Sequence, residues 1–171
     1  MADKAAGAEL NVEIREWIDR LELVVHPEGG WYRETYRSDV VLARSALPDG
    51  YPGDRRLMTS ILYLLPTGMR SRWHRVRSEE LWMHHRGDDL RLGVSSANPT
   101  QQGSGKGGRE YDVRLGQRMA SKFQAIVPPG HWQEAEALQG EAGYALVGCV
   151  VAPGFEFEDF EMADPDDPLI R

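Results

Sequence analysis

GMRSRWHRVRSEELWMHHRG, residues 68–87, holds three of the chain's five histidines and two adjacent glutamates. Its second half, 78–86, reads as a β-strand. Period-two alternation then places Glu80, Trp82 and His84 on one face, and Glu79, Leu81, Met83 and His85 on the other. His74, just ahead of that strand, completes a His/Glu/His cluster on the inward side. Such a trio suits proton transfer, because a carboxylate orients an imidazole and raises its basicity. It equally suits metal ligation through nitrogen and oxygen donors. A plainer reading, polar strand-face groups satisfied by their neighbours, stays open on spacing alone. Arg70, Arg72, Arg75, Arg77 and Arg86 crowd the same stretch. They either solvate a face and pair with carboxylates, or hold an anion through bidentate guanidinium forks.

The rest of the chain fits a strand at this point. Residues 31–41, 55–65, 89–96, 110–116, 123–129 and 144–152 are short segments rich in aromatic, Val, Ile and Leu residues, with Gly and Pro between them. Many short strands so punctuated predict an all-β sandwich or barrel. One helix is expected near the start, where Ile14, Trp17, Ile18 and Leu21 follow helical spacing behind Asn11 as N-cap. Residues 1–10 read as a flexible arm, 11–163 as one domain and 164–171 as an acidic tail. The stretches 43–54 and 97–109 read as loops.

Two further segments carry candidate chemistry. In HPEGGWYRETYRS (26–38) a tight turn delivers an aromatic strand. Tyr32, Glu34 and Tyr36 share one face, and Trp31, Arg33, Thr35 and Arg37 the other. In VPPGHWQEA (127–135) a Pro-Pro-Gly turn precedes His131, Trp132 and Gln133, and His131 and Gln133 share a face if a strand resumes at once. In both segments an ordinary strand face or a solvated corner is the alternative.

Composition narrows the function classes. The 171 residues suit one domain. The formal charge is -7, yet residues 156–171 hold seven acidic groups and one basic one, so the body is close to neutral. A body without basic excess disfavours nucleic-acid binding. No apolar run approaches the ~20 residues of a membrane span, and the first residues lack the apolar core of a secretory signal. The single cysteine, Cys149, excludes an intrachain disulfide and reads as a buried inert thiol. A cytoplasmic location is the expectation.

Taken together, these segments resemble the cupin superfamily. Its first motif, G-x5-H-x-H-x(3,4)-E-x6-G, matches at Gly68, His74, Glu80 and Gly87, with Val76 where the second histidine falls. Its second motif matches at Pro128 and Gly130, with Gln133 at the histidine position. Lys122 and Ala137 stand in place of the flanking Gly and Asn. Residues 21–162 are more closely similar to the Cupin 5 subfamily. The resemblance implies a double-stranded β-helix, or jelly-roll barrel, with a short N-terminal helix, commonly a homodimer, and a pocket between its two sheets. It also implies similarity to dTDP-sugar 3,5-epimerases. Metallocupins hold metal on three histidines and a glutamate. With Val76 and Gln133 at two of those four positions, no cofactor is expected beyond a weakly held divalent metal on His74, Glu80 and His84.

The leading functional expectation is a metal-independent isomerase or epimerase acting on a sugar or sugar-nucleotide-like anion. His74 would be its base, oriented by Glu80 or Glu34. Tyr32 or Tyr36 would be the acid, and His84 would stabilise the enolate oxygen. Trp82 and Trp132 would stack on the ligand, Arg33 or Arg72 would receive a phosphate, and His131 and Gln133 would complete the pocket. The alternatives are a non-catalytic ligand-binding cupin and a metallocupin of dioxygenase or oxalate-decarboxylase type with a degenerate metal site.

Overall fold

Alternating short apolar segments need a second layer to cover their inward faces, and the chain supplies it by folding into two facing antiparallel sheets. The computed structural model describes residues 10–96 and 111–163. The expectations for the arm up to residue 9, the loop 97–109 and the tail 164–171 lie outside the described residues. Helix α1 (Val12–Leu21) is followed by strands β1 (Val24–Val25), β2 (Trp31–Arg37), β3 (Val41–Leu42), β4 (Arg55–Arg56), β5 (Thr59–Pro66), β6 (Arg70–Val76) and β7 (Glu79–Gly87). Then come β8 (Leu90–Ser95), β9 (Tyr111–Leu115), β10 (Gln124–Val127), β11 (Trp132–Ala137), β12 (Tyr144–Ala152) and β13 (Phe160–Met162).

One sheet runs β1-β2-β5-β12-β7-β10 and the other β13-β6-β11-β8-β9, with β3 and β4 forming a small separate ribbon. This is the all-β jelly-roll barrel with a short N-terminal helix. Strand β12 lies between β5 and β7, and its YALVGCVVA run is apolar throughout because neighbours flank it and packing covers both faces. Tyr63, Trp82, Leu92, Val94 and Val147 fill the barrel interior. Helix α1 begins as its sequence dictates: Asn11 Oδ1 accepts the Ile14 backbone N–H at 2.8 Å. Its apolar side packs Ile14 against Leu64 and Tyr144 on the outside of the six-stranded sheet. Among the described residues no helix is long and apolar enough to cross a membrane.

Strand β6 was not among the strands expected. RSRWHRV looks too polar, yet its exposed Arg70 and Arg72 alternate with buried Ser71, Trp73 and His74. The arginine crowd proves to be mostly an ion-paired outer face. Arg70 reaches Glu136 at 3.1 Å, Arg75 pairs with Glu161, Arg77 with Asp159, and Arg86 lies 3.7 Å from Glu13.

Candidate functional site

The two sheets leave a cavity of about 300 Å³ at one end of the barrel. Its deep polar wall is built from β6, β7 and the turn joining β1 to β2. In that turn Gly29 and Gly30 adopt φ of 119° and 69°. A Cβ on Gly29 would lie 2.2 Å from the Arg70 carbonyl oxygen, so only glycine lets the turn press against β6. The Arg72 N–H then bonds the Glu28 carbonyl at 3.0 Å, and the Glu28 side chain is carried into the cavity.

There it meets His74. Glu28 Oε2 lies 3.1 Å from His74 Nε2 and 3.6 Å from His26 Nδ1, and all three side chains are buried. Glu28 Oε1 accepts the Ser71 hydroxyl at 2.9 Å. The His74 Nδ1 lies 2.7 Å from the Arg72 carbonyl. Burial is the largest influence on both partners. It pushes the Glu28 carboxyl above its usual range and the His74 imidazole below its own, so both favour their neutral forms. His26 is displaced downward for the same reason.

Glu80 enters from β7 and is held across the barrel. The indole of Trp82 can only donate, and its Nε1–H reaches Gln133 Oε1 at 2.9 Å. That fixes the Gln133 amide, whose NH2 must face and donate to Glu80 Oε2. Burial raises the Glu80 carboxyl, and His74 and the amide oppose it. Cys149, also on the lining, has its thiol pushed well above the ordinary range by burial, which fits an inert thiol.

The outer wall is aromatic. Phe155, Phe157 and Phe160 follow β12, and Phe160 lies 5.5 Å from the His74 ring and 6.2 Å from His26. Tyr32 stands edge-on to His26 at 4.5 Å. A β-bulge at Thr35 shifts the register between Glu34 and Tyr36. Strict alternation therefore fails beyond Glu34: Tyr36 turns out to solvent, while Arg37 joins the lining. Arg37 donates to both Glu34 carboxylate oxygens, at 2.9 and 2.8 Å, and to Glu156 at 2.6 Å. It thereby ties the Phe155–Phe157 segment to β2.

Of the residues singled out in the sequence, His74, Glu80, Tyr32 and Glu34 meet in this cavity, and Gln133 buttresses it from behind. The others lie elsewhere. His84 is inward and buried, but two inward steps along β7 separate it from Glu80 by about 13 Å, and Trp82 fills the space between. Its Nε2 bonds the Asp88 carbonyl at 2.8 Å. Trp82 is a core residue, edge-on to Tyr63 at 6.0 Å. Trp132 packs with Trp73 under the Arg75 guanidinium. His131 lies on the β10–β11 turn outside the lining. Arg33 pairs with Glu22 at 2.7 Å, and Arg72 clamps the backbone of the 27–28 turn, so neither supplies a phosphate site in the cavity. Sequence reasoning missed His26, Glu28, Arg37, Tyr63 and the three phenylalanines. The glycine pair behind Glu28 was the one available signal of a close backbone approach.

The motif positions His74 and Glu80 thus converge on one end of a two-sheet barrel, on β6 of one sheet and β7 of the other, with Gln133 beside them, while Gly68 lies in the turn ahead of β6. The sequence pattern of Cupin_5, a family of the cupin superfamily also designated DUF985, matches residues 15–163. The chain belongs to the Cupin_5 family. Its likeness to the yeast (Saccharomyces cerevisiae) protein YML079W is 27% identity over 165 residues, 91% of this chain and 78% of that one. A solved Leishmania major protein is 34% identical with a TM-score of 0.74, covering 91% of this chain and 95% of its own. Protein SO0799 from Shewanella oneidensis is 34% identical with a TM-score of 0.70, covering 90% and 84%. Oxalate decarboxylase from Bacillus subtilis shares the fold at 16% identity and a TM-score of 0.52, with this Cupin_5 chain spanning 29% of its length.

The metal that many cupins carry does not fit these residues. Val76 has no donor atom, the Gln133 amide turns N–H rather than oxygen toward Glu80, and His84 is remote. Among the described residues no group of three or more His, Cys, Asp or Glu side chains is arranged to hold a metal ion. Dialysis against a chelator is accordingly expected to move the thermal unfolding midpoint by less than about 1 °C, since a bound metal lost from the native state would lower it. A drop of several degrees, restored by one added divalent metal, would reverse this conclusion.

Proposed function

We propose that this Cupin_5 protein is a small-molecule isomerase or epimerase that moves a proton at the carbon beside a carbonyl group of a sugar-like substrate. The observation that carries the reading is His74: a buried imidazole with one nitrogen committed to the Arg72 carbonyl and the other facing Glu28, on the wall of an aromatic-lined cavity. Such an imidazole is held in one tautomer and kept neutral by burial, the state a general base requires. Tyr32, which also lines the cavity, is the candidate acid for returning a proton to the other face. The phenylalanines exclude water from the reacting carbon and offer apolar faces to a sugar ring. The likeness to dTDP-sugar epimerases belongs to this proposal, because fold alone does not decide reaction.

The test is solvent-deuterium exchange. A panel of aldoses, ketoses and keto-sugar nucleotides in D2O is followed by proton NMR. Wild type is expected to wash deuterium into the carbon beside the carbonyl of at least one of them. His74→Ala is expected to slow that exchange by at least about 100-fold, with ligand contact by saturation transfer retained. Exchange at the wild-type rate in His74→Ala sinks the proposal. Binding without exchange in wild type identifies a non-catalytic binding cupin instead.

A further inference from the structure

We infer that Glu28 is the resident acid of this site, sharing one proton with His74 and passing it to the substrate's carbonyl oxygen. The argument rests on hydrogen-bond polarity. A backbone carbonyl can only accept, so His74 Nδ1, 2.7 Å from the Arg72 oxygen, carries a proton. In the neutral ring Nε2 is therefore a lone pair, and it points at Glu28 Oε2 from 3.1 Å. Two buried acceptors at that separation repel unless a proton lies between them.

Among the described residues no other donor is bonded to Oε2: the Tyr63 hydroxyl beside the carboxyl spends its proton on the Gly29 carbonyl at 2.8 Å. The Ser71 hydroxyl bonds the other carboxyl oxygen, and the Glu28 backbone N–H goes to His26 Nδ1 at 3.3 Å. Among the described residues no Lys or Arg is ion-paired with Glu28, although the Arg72 charge acts on it from the far side of the turn. The cavity groups around it are His26 from the turn, Tyr32 from β2, Tyr63 from β5, Glu80 from β7, Cys149 from β12 and Phe160 from the closing segment. The Arg72 guanidinium is turned to the Pro27 carbonyl, and Arg37 is taken up by Glu34 and Glu156. Of the two ways to place one proton, a neutral acid bonded to a neutral imidazole avoids burying two charges, and burial displaces both groups in that sense.

This gives the reaction, which rests on the function proposed above, a complete proton inventory. Glu28 gives its O–H proton to the substrate's carbonyl oxygen. The C–H bond beside that carbonyl breaks, its electron pair forms the carbon–carbon double bond of the enol, and its proton goes to His74 Nε2. The neutral pair has become a carboxylate beside an imidazolium, so the charge separation stays between the two side chains and the enol remains uncharged. On the return half the enol O–H gives its proton back to Glu28, and Tyr32 protonates the carbon from the other face. The proton on His74 then replaces, through solvent, the one Tyr32 gave up, so that every group regains its resting state.

Glu28→Gln separates the alternatives, because its NH2 imitates the neutral acid and keeps a bond to Nε2 but gives up no proton. The variant is expected to fold with a thermal midpoint within about 2 °C of wild type. Infrared difference spectra, wild type minus Glu28→Gln at neutral pH, are expected to show the C=O stretch of a carboxylic acid. Nitrogen-15 NMR is expected to find His74 Nε2 unprotonated. An ionised Glu28 beside a doubly protonated His74 overturns the assignment. With any sugar that wild type exchanges, Glu28→Gln is expected to lose at least about 100-fold in kcat with saturation-transfer contact retained; an unchanged kcat overturns the acid's role. If wild type exchanges none of the panel, the proposed reaction falls, and the infrared and nitrogen signals still decide where the proton resides.

Discussion

Replacing Asp159 by Asn is expected to cost about 3–5 kcal/mol of folding stability, the range for breaking a buried ion pair from one side. Asp159 receives Arg55 in a fork, Nε to Oδ2 at 2.6 Å and Nη2 to Oδ1 at 3.0 Å, with Arg77 joining at 3.0 Å. The Arg55 side chain is 1% exposed, so losing its carboxylate partner leaves a guanidinium that water cannot reach. Glu158 touches it at 2.8 Å but is itself more than half exposed, and its pull is weakened by solvent. In a domain of this size the loss corresponds to a fall in thermal midpoint on the order of 10 °C. Urea unfolding of Asp159→Asn measures it directly, and a loss below about 1 kcal/mol would refute the account. A second variant separates charge from packing. Arg55→Met with Asp159→Leu removes both charges, and its stability is expected to recover well above that of Asp159→Asn. The pair also matters for function, because Asp159 sits between Phe157 and Phe160. Its loss frees the segment that walls the cavity, so amide exchange across 155–160 is expected to rise with it.

That ion pair was invisible to sequence reading, and the reason is general to this fold. Arg55 and Asp159 are 104 residues apart, and neither lies in a patterned element whose period points toward the other. What alternation does reach is local. The apolar run 144–152 became β12 with the same ends, and Asn11 capped the expected helix. The spacing from Gly68 through His74 to Glu80 likewise placed two of the site's groups, because a short link carries the chain from the end of β6 in one sheet to the start of β7 in the other and keeps near neighbours near. Alternation failed where a strand was irregular or its inward residues were polar. The bulge at Thr35 exchanged Tyr36 for Arg37, and β6 hid its inward Ser71 and His74 among arginines. It also said nothing of depth: Trp82 and His84 point inward as expected, yet they lie below the cavity floor. Glu28 was missed because its partner stands 46 positions away on a strand that had not been recognised.

Gln133→Leu is expected to be the second costly change, losing about 2–5 kcal/mol although its volume is nearly conserved. Gln133 is 0% exposed and joins the two sheets by polarity rather than by packing. Its carbonyl satisfies the Trp82 indole and its NH2 satisfies Glu80, so leucine orphans a buried donor and a buried carboxyl at once. The pH dependence tells these two losses apart. The Glu80 carboxyl is raised by burial above its ordinary range, so the native state binds this proton more tightly than the unfolded chain does. Stability from this group is therefore full below the ordinary carboxyl range and lost as pH rises through the raised value. The Gln133 amide opposes that rise by bonding the carboxylate, and leucine removes the opposition. The gap between wild type and Gln133→Leu should accordingly be smallest in acid, where it reports mainly the orphaned indole, and should widen toward neutral pH. Urea unfolding at about pH 5 and about pH 8 resolves it. Measured between Glu80→Gln and Glu80→Gln/Gln133→Leu, the gap should no longer widen, since neither protein then has a titrating carboxyl at that position. A gap that narrows as pH rises, or one unaffected by Glu80→Gln, would mean that the amide does not hold the Glu80 carboxylate, and the link between the sheets would have to be sought in packing alone.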